Sequence, residues 1–323
     1  MDSGLFRYDR RVVGFDSLPG SVVLKSAQLN KGQVMTKLIV SHSEVDQYLS
    51  CERKHYYAFG KGLQSNHQSD SLTRGTLGHK VLDVYYNNIK EGNTPDDSAL
   101  NALNHFKEFI EKGYDLRLLA DLQDLLLRYF AVAPAWDETY EILHVEQEFR
   151  LEVSAEIEYP YTPDLIVQDK VTGRIYVLDH KFIYNFYTVD DMKISPQLPK
   201  YIGALRANGI NVHSGLYNML RWRKVKSTEV HDNFRREGVP INNNRIAVTF
   251  QEQIKAMEQI GKLKQLFPSE WEKNVLRTAS SFNCKNCSFH QLCTLDLTGE
   301  DTALAERYDY ETNTYGYLEK ASE

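Results

Sequence analysis

"YTPDLIVQDKVTGRIYVLDHKF", Tyr161 to Phe182, is the stretch on which the fold turns. Two runs rich in β-branched and aromatic residues, "DLIVQD" and "GRIYVLDHKF", flank the turn-forming "QDKVTG". That order predicts a β-hairpin. Side chains alternate across a strand, so Asp179 and Lys181, two residues apart, fall on one face. Pairing through this turn brings Asp164, at the head of the first strand, to the same end of the sheet. Two carboxylates and a lysine then converge. Hard oxygen ligands of this kind suit Mg²⁺ or Mn²⁺. A lysine beside them can orient or deprotonate a water and stabilise charge on a phosphate. An Asp-x-Lys alone is common on solvated hairpins, so the surroundings carry weight.

Upstream, Ser41 and Glu44 form a capping-box pattern that starts a helix. It is expected to run through "CERKHYYAFG" to about Gly60, followed by a polar loop, "KGLQSNHQSDSLTRG". A second helix, "TLGHKVLDVYYNNIKEG", shows Leu77, Val81, Leu82 and Tyr85 at helical spacing and carries His79. Residues 97–135 are helical by period, hold no catalytic constellation, and read as an insertion or cap. Either Glu146 or Glu148 offers a further carboxylate ahead of the Asp164 strand. Downstream come a helix, "SPQLPKYIGALRANG", closed by Gly209, a strand, "SGLYNMLRWRKVK", and a long amphipathic helix, "TFQEQIKAMEQIGKLKQLF". Helices, a small sheet, then helices again make an α/β chain of the α+β type. Residues 1–36 read as a β-rich lead-in, 37–297 as the main domain, and 298–323 as an acidic, loosely attached tail.

The chain has 323 residues, 42% of them hydrophobic and 11% aromatic, which suits a real core. No apolar run approaches the roughly 18 residues of a membrane span, and "MDSGLFRYDRRVVGFDSLPG" has no signal-peptide core. A cytoplasmic protein with no membrane partner is expected. The net charge of −6 excludes a uniformly basic coat but not a local nucleic-acid surface. "RWRKVKS" is one such local patch, with Arg221, Arg223 and Lys224 as weak candidates for DNA contact, and "NFRREG" is a second. No P-loop occurs, so the chain carries no helicase motor of its own.

"NCKNCSFHQLC", Asn283 to Cys293, holds three of the four cysteines, and Cys51 lies more than 230 residues before them. In a reducing compartment clustered cysteines are metal ligands more often than disulfides. Spacing leaves two occupants open for Cys51, Cys284, Cys287 and Cys293: one zinc, or an iron–sulfur cubane. Either would be structural, because tying distant segments removes unfolded-state entropy.

Taken together, these motifs resemble the PD-(D/E)xK nuclease superfamily, specifically its RecB-like branch. That branch includes the RecB and AddB nuclease domains, CRISPR adaptation nucleases, and stand-alone phage and mitochondrial exonucleases. Pro163-Asp164 followed by Asp179-His180-Lys181 spells the superfamily signature. "GTLGHKVLD" resembles the helix whose histidine, here His79, ligates the catalytic metal with the two aspartates. "QLPKY" resembles the Gln-x-x-x-Tyr motif, here Gln197 and Tyr201, which lies against the DNA and the active site. The four cysteines resemble the branch's iron–sulfur staple, which implies [4Fe–4S] rather than zinc. The likeness spans about residues 38–296. It departs at Glu52, Tyr161 and Phe182, where relatives commonly have proline, glycine, and threonine or serine.

The resemblance implies a restriction-endonuclease-like core, with a small mixed sheet flanked by helices and a Cys₄ staple. It implies a Mg²⁺- or Mn²⁺-dependent deoxyribonuclease, an exonuclease on single-stranded ends in recombination, replication or repair, possibly phage-encoded. A separate helicase or recombination protein is the natural partner. Two other readings stand beside it, an inert nucleic-acid-binding protein of the same fold and a restriction-type endonuclease.

Overall fold

In the computed structural model, which describes residues 37–66, 69–223, 230–239 and 241–312, the hairpin forms as its sequence dictates. Asp169 organises the turn. Its Oδ1 accepts hydrogen bonds from the backbone N–H of Val171 and Thr172 and from the Thr172 hydroxyl, and Gly173 takes φ +67°.

In chain order the strands are β1 (Leu38–Ile39), β2 (Leu63–Ser65), β3 (Tyr140–Val145), β4 (Phe149–Glu152), β5 (Ile157–Tyr161), β6 (Leu165–Asp169), β7 (Ile175–Ile183), β8 (Val212–Arg221), β9 (Phe234–Val239) and β10 (Tyr310–Thr312). A five-stranded mixed sheet has the order β3-β6-β7-β8-β9, in which only β7 and β8 are parallel. A three-stranded sheet, β1-β5-β4, stands beside it. The chain leaves the large sheet after β3, makes β4 and β5 in the small one, and returns at β6. Pro163 cannot donate to a ladder and marks the return.

The helices begin with α1 (His42–Ser50) and α2 (Glu52–His55), which runs into a π-helical turn, Tyr56–Gly60. The single helix expected here is broken at Cys51, whose backbone is extended (φ −168°, ψ 116°). Ser41 does cap α1, but Glu44 does not complete a capping box. Its buried carboxylate instead meets His55 at 3.0 Å and Lys264 at 2.7 Å. The loop expected over 61–75 is instead β2 followed by α3 (Asp70–Lys90), which Ser69 caps.

Next come α4 (Pro95–Asn104), α5 (Phe106–Glu111), α6 (Leu116–Phe130) and α7 (Ala133–Asp137). They are helical as expected, but they do not stand off as a cap. Leu119, Leu122, Leu125 and Leu126 join α3 and one face of the large sheet, including Leu165, Leu178 and Leu220, in one buried cluster. The opposite face, with Ile166, Val177 and Met219, packs under α9 (Gln197–Ala207), α10 (Asn243–Leu263) and the shorter α8 (Val189–Ile194) between β7 and β8. Helices thus cover both faces of a central sheet, the architecture the sequence implied.

A third cluster joins the two ends of the described chain. The C-terminal part contains α11 (Pro268–Lys273), α12 (Ser281–Lys285), α13 (His290–Thr298) and α14 (Ala303–Asp309). The segment expected to hang loosely after 298 is docked as far as Thr312. Strand β10 pairs antiparallel with β2, and Tyr310 is buried against Phe289. Residues 1–36, the expected lead-in, lie outside the described residues. No helix among them is long and apolar enough to cross a membrane.

Candidate active site

The crossing between the two sheets builds the site. Glu146 stands where the chain leaves the large sheet and Asp164 where it returns, and the Glu146 N–H donates to the Asp164 carbonyl at 2.9 Å. Glu146 takes φ +42°, a left-handed backbone unusual for a residue with a Cβ. Such strain costs on the order of 1–2 kcal/mol and gathers at functional sites. It sets the carboxylate 3.8 Å from His79 Nδ1, while Asp164 Oδ2 lies 3.4 Å from the same nitrogen. Ligand atoms of His79, Glu146 and Asp164 all fall within 4.8 Å of one another.

His79 reaches this point because Gly78 lets α3 approach β7. A Cβ added at Gly78 would stand 2.2 Å from the Phe182 ring. The Phe182 ring in turn packs beside His79, with centroids 5.7 Å apart. The phenylalanine that replaces the family's small polar residue is therefore the partner of the glycine.

Alternation along β7 splits the Asp-His-Lys triplet between the two faces. Asp179 and Lys181 face α9, and there Gln197 bridges them: its Nε2 donates to Asp179 Oδ1 at 2.7 Å, and its Oε1 accepts from Lys181 Nζ at 2.6 Å. Lys181 Nζ is also 2.6 Å from Asp179 Oδ2. His180 faces α3 and is buried, stacking on Tyr86 and accepting from Asn218 Nδ2 at 2.8 Å through its Nδ1. Its backbone N–H holds Asp164 Oδ2 at 2.6 Å. The two faces are thus joined through one peptide.

Electrostatics divide the same way. Burial raises the Asp164 carboxyl to about 7; Asp179 and Glu146 add to this, and His79 and the His180 N–H oppose it. Burial disfavours a charged His79, but Asp164 and Glu146 outweigh it and raise the imidazole to about 8. Burial alone would lower Lys181, yet the charge and hydrogen bond of Asp179 hold it above the ordinary lysine range. Paired in this way, Lys181 is placed to orient a water or a phosphate oxygen, one of the two roles read from sequence.

Of the residues singled out from sequence, His79, Asp164, Asp179, Lys181 and Gln197 meet at this end of the sheet. Of the two glutamates left open, Glu146 stands beside His79 and Asp164, while Glu148 pairs with Arg150 at the surface. The place of Glu146 opposite Asp164 follows from the β3–β6 register, in which Val145 faces Leu165. Tyr201 is 6% exposed and stacked on His42, with ring centroids 4.7 Å apart, and its hydroxyl lies beside Gln197 and near Asp179 and Asp164. Arg221 and Arg223 lie at the end of β8, and Lys224 is outside the described residues.

Cys287 and Cys293 pack against the third cluster, and Cys51 lies near Cys287. Burial pushes the Cys287 thiol up, with Cys51 and Cys293 adding to it and the Phe289 N–H and Lys54 opposing. The Thr278 N–H points at Cys51 Sγ, 3.5 Å away. Around them Arg53 pairs with Asp296 at 3.0 Å, the Tyr57 hydroxyl donates to Asp296 at 2.7 Å, and the Leu276 N–H donates to Glu52 at 2.9 Å. The glutamate after the first cysteine, another departure from the family, thus ties α2 to the C-terminal part. No three of the four sulfurs lie within 4.8 Å of one another.

A family model described as the PD-(D/E)XK nuclease superfamily matches residues 39–294, most of the chain. No curated protein sequence matches. Among solved structures the chain is similar to one reported as "Crystal structure of SSO0001". The identity is 16% over 66% of this chain and 84% of that one, with a TM-score of 0.32.

Proposed function

We propose that this chain, which belongs to the PD-(D/E)XK nuclease superfamily, degrades DNA from single-stranded ends. Membership makes it a metal-dependent nuclease with a nucleic-acid substrate; the end-dependence, the strand preference and Mg²⁺ or Mn²⁺ as the metal are our reading. The observation that carries it is the meeting of two sets of side chains at one sheet end. One is a carboxylate–imidazole cluster, and the other a lysine pinned between an aspartate and a glutamine.

The donor set fits a divalent cation. Two carboxylates and an imidazole offer ligand atoms within 4.8 Å of one another, and the Asp164 and Glu146 carboxylates raise the His79 imidazole against its burial, as they would favour a cation. His79, Glu146 and Asp164 would hold it, with Asp179 next to them. When bound it supplies Lewis-acid neutralisation of the charge that builds on a phosphate. Lys181 supplies a second fixed positive charge on the α9 side. Gln197 fixes its ammonium and the Asp179 carboxylate in one geometry, so little reorganisation is needed as charge develops.

End-dependence is supported by Gln197 within its Gln-x-x-x-Tyr motif and by the cysteine staple, features of end-processing relatives. A [4Fe–4S] cluster at Cys51, Cys284, Cys287 and Cys293 is supported by the cysteine pattern, three close in sequence and a distant fourth, which is atypical for one zinc. Protein purified without oxygen is expected to be brown, with iron and sulfide in equal amounts; stoichiometric zinc in a colourless protein would refute the cluster.

The deciding assay supplies linear and circular single-stranded DNA side by side with Mg²⁺ or Mn²⁺. Wild-type protein is expected to degrade the linear form and spare the circle, and Lys181→Ala to degrade neither. Cutting of the circle refutes end-dependence. Undiminished cutting by Lys181→Ala refutes the nuclease reading.

A further inference from the structure

Directly after Lys181 the chain runs into a surface where arginines and aromatic rings interleave. Tyr184 and Phe186 follow the end of β7, Arg221, Trp222 and Arg223 end β8, and Arg235 lies on β9. Arg221 Cζ is 4.5 Å and Arg235 Cζ 4.3 Å from the Phe186 ring centroid. Arg223 Cζ is 5.5 Å from Tyr184, and Arg74, on the same helix as His79, is 4.7 Å from Trp222. Tyr184 packs edge-on to Trp222 at 4.8 Å and remains 49% exposed. Four such arginine–ring pairs, contributed by α3, the segment after β7, the end of β8 and β9, surround this end of the sheet.

The positive charge is concentrated as well. Arg235 has Glu237 at 3.7 Å and Arg74 has Asp121 at 3.7 Å, and Arg221 donates to the Asp232 carbonyl. Burial, and then Arg235 and Arg223, hold Arg221 below the ordinary arginine range, with Asp232 opposing. A chain of net charge −6 thus gathers like charges beside its catalytic lysine. Guanidiniums that repel one another call for an anion, and exposed aromatic faces between them call for flat apolar groups. A single polynucleotide strand supplies both, phosphates outside and bases free to stack. A duplex hides its bases.

We propose that Tyr184, Phe186, Trp222, Arg221, Arg223 and Arg235 form a platform for the single-stranded DNA that leads into the active site. Tyr184 stacks a base, and the arginines hold the adjoining phosphates. At about 3.3 Å per residue, Tyr184 stands roughly 10 Å along the chain from Lys181, within reach of a strand whose scissile phosphate is at the site. This inference rests on the reading that the chain cuts single-stranded DNA, and it adds the residues that select the strand.

The test reads binding in EDTA, so it does not depend on cutting. Fluorescence anisotropy is measured with an oligothymidylate of about 20 nucleotides, longer than the ~4–16 of typical single-strand sites, and with a blunt duplex of equal length. Tyr184→Ala should weaken binding to the single strand about tenfold, the loss of one stacked base, while duplex binding changes by less than about twofold. Tyr184→Phe should restore the single-strand affinity, because it keeps the ring. Arg223→Gln should lower the slope of log K against log salt by roughly 0.7 for the single strand. Unchanged single-strand binding in Tyr184→Ala, or equal losses for strand and duplex, would overturn the platform. A wild-type protein that binds single strands through Tyr184 yet cuts nothing would sink the nuclease reading and leave the platform standing.

Discussion

The two faces of β7 carry neighbouring residues of one triplet into opposite environments. On the α9 side Asp179 and Lys181 pair with each other and are locked by Gln197. On the α3 side His180 is buried and, through burial first, held well below its ordinary range, so it stays neutral. It belongs to a polar network in which Asn218 also donates to Tyr129 at 2.8 Å. Arg236 reaches Asn218 at 3.2 Å and Asp137 at 2.6 Å. One face is arranged to meet an incoming anion. The other turns its polar groups toward one another in a buried network. A titratable side chain beside a catalytic motif is therefore not a catalytic one by proximity; its partners decide.

The contrast can be broken first from the α9 side. Lys181→Ala should reduce turnover of linear DNA about 10³-fold, roughly 4 kcal/mol of transition-state stabilisation, measured at saturating metal. The α3 face should answer in stability instead. Arg236→Ala leaves Asp137 buried and unpaired, which costs about 3 kcal/mol, read by denaturant unfolding; below its unfolding transition the variant should retain most of its activity. If Arg236→Ala abolishes turnover in a protein that remains folded, the division between the faces fails.

Gly78 sharpens the comparison, because it sets how closely α3 meets β7. Gly78→Ala should cost about 2 kcal/mol by overpacking against Phe182 and weaken Mn²⁺ binding by displacing His79. Adding Phe182→Ala should recover part of both losses, a coupling that a double-mutant cycle measures. The mildest test is pH. Protons on His79 (about 8) and Asp164 (about 7) compete with a cation. Both are bound below pH 7 and both are gone well above pH 8, so Mn²⁺ affinity should rise with pH. Below pH 7 it should fall by about tenfold or more per unit, with proton release measured by calorimetry in two buffers.

Much of this was legible in the sequence because it rests on local periodicity. Alternation placed Asp179 with Lys181, and Asp169 with Gly173 marked the turn. The features that escaped depend on partners remote in sequence or on backbone strain. Nothing in "VEQEF" announces that Glu146 alone takes a left-handed φ and turns inward. No glycine or proline marks the break at Cys51. Glu44 sits where a capping residue belongs, but the buried Lys264 and His55 claim its carboxylate. Residues 97–135 were plainly helical, yet a periodic stripe does not say which surface it covers, and here it covers the sheet.

The cluster that joins the chain's ends has a consequence in time. Arg53 meets Glu272, and Tyr57 meets Asp296, across 219 and 239 residues of sequence. At roughly 5–20 residues per second, a ribosome takes roughly 10–50 s to deliver those partners after the first ones emerge. Until then Tyr56 and Tyr57 have no Trp271 or Phe289 to bury against, and Glu44 has no Lys264. A polypeptide interrupted before Pro268 holds every residue of the catalytic cluster but lacks what seals its opening helices.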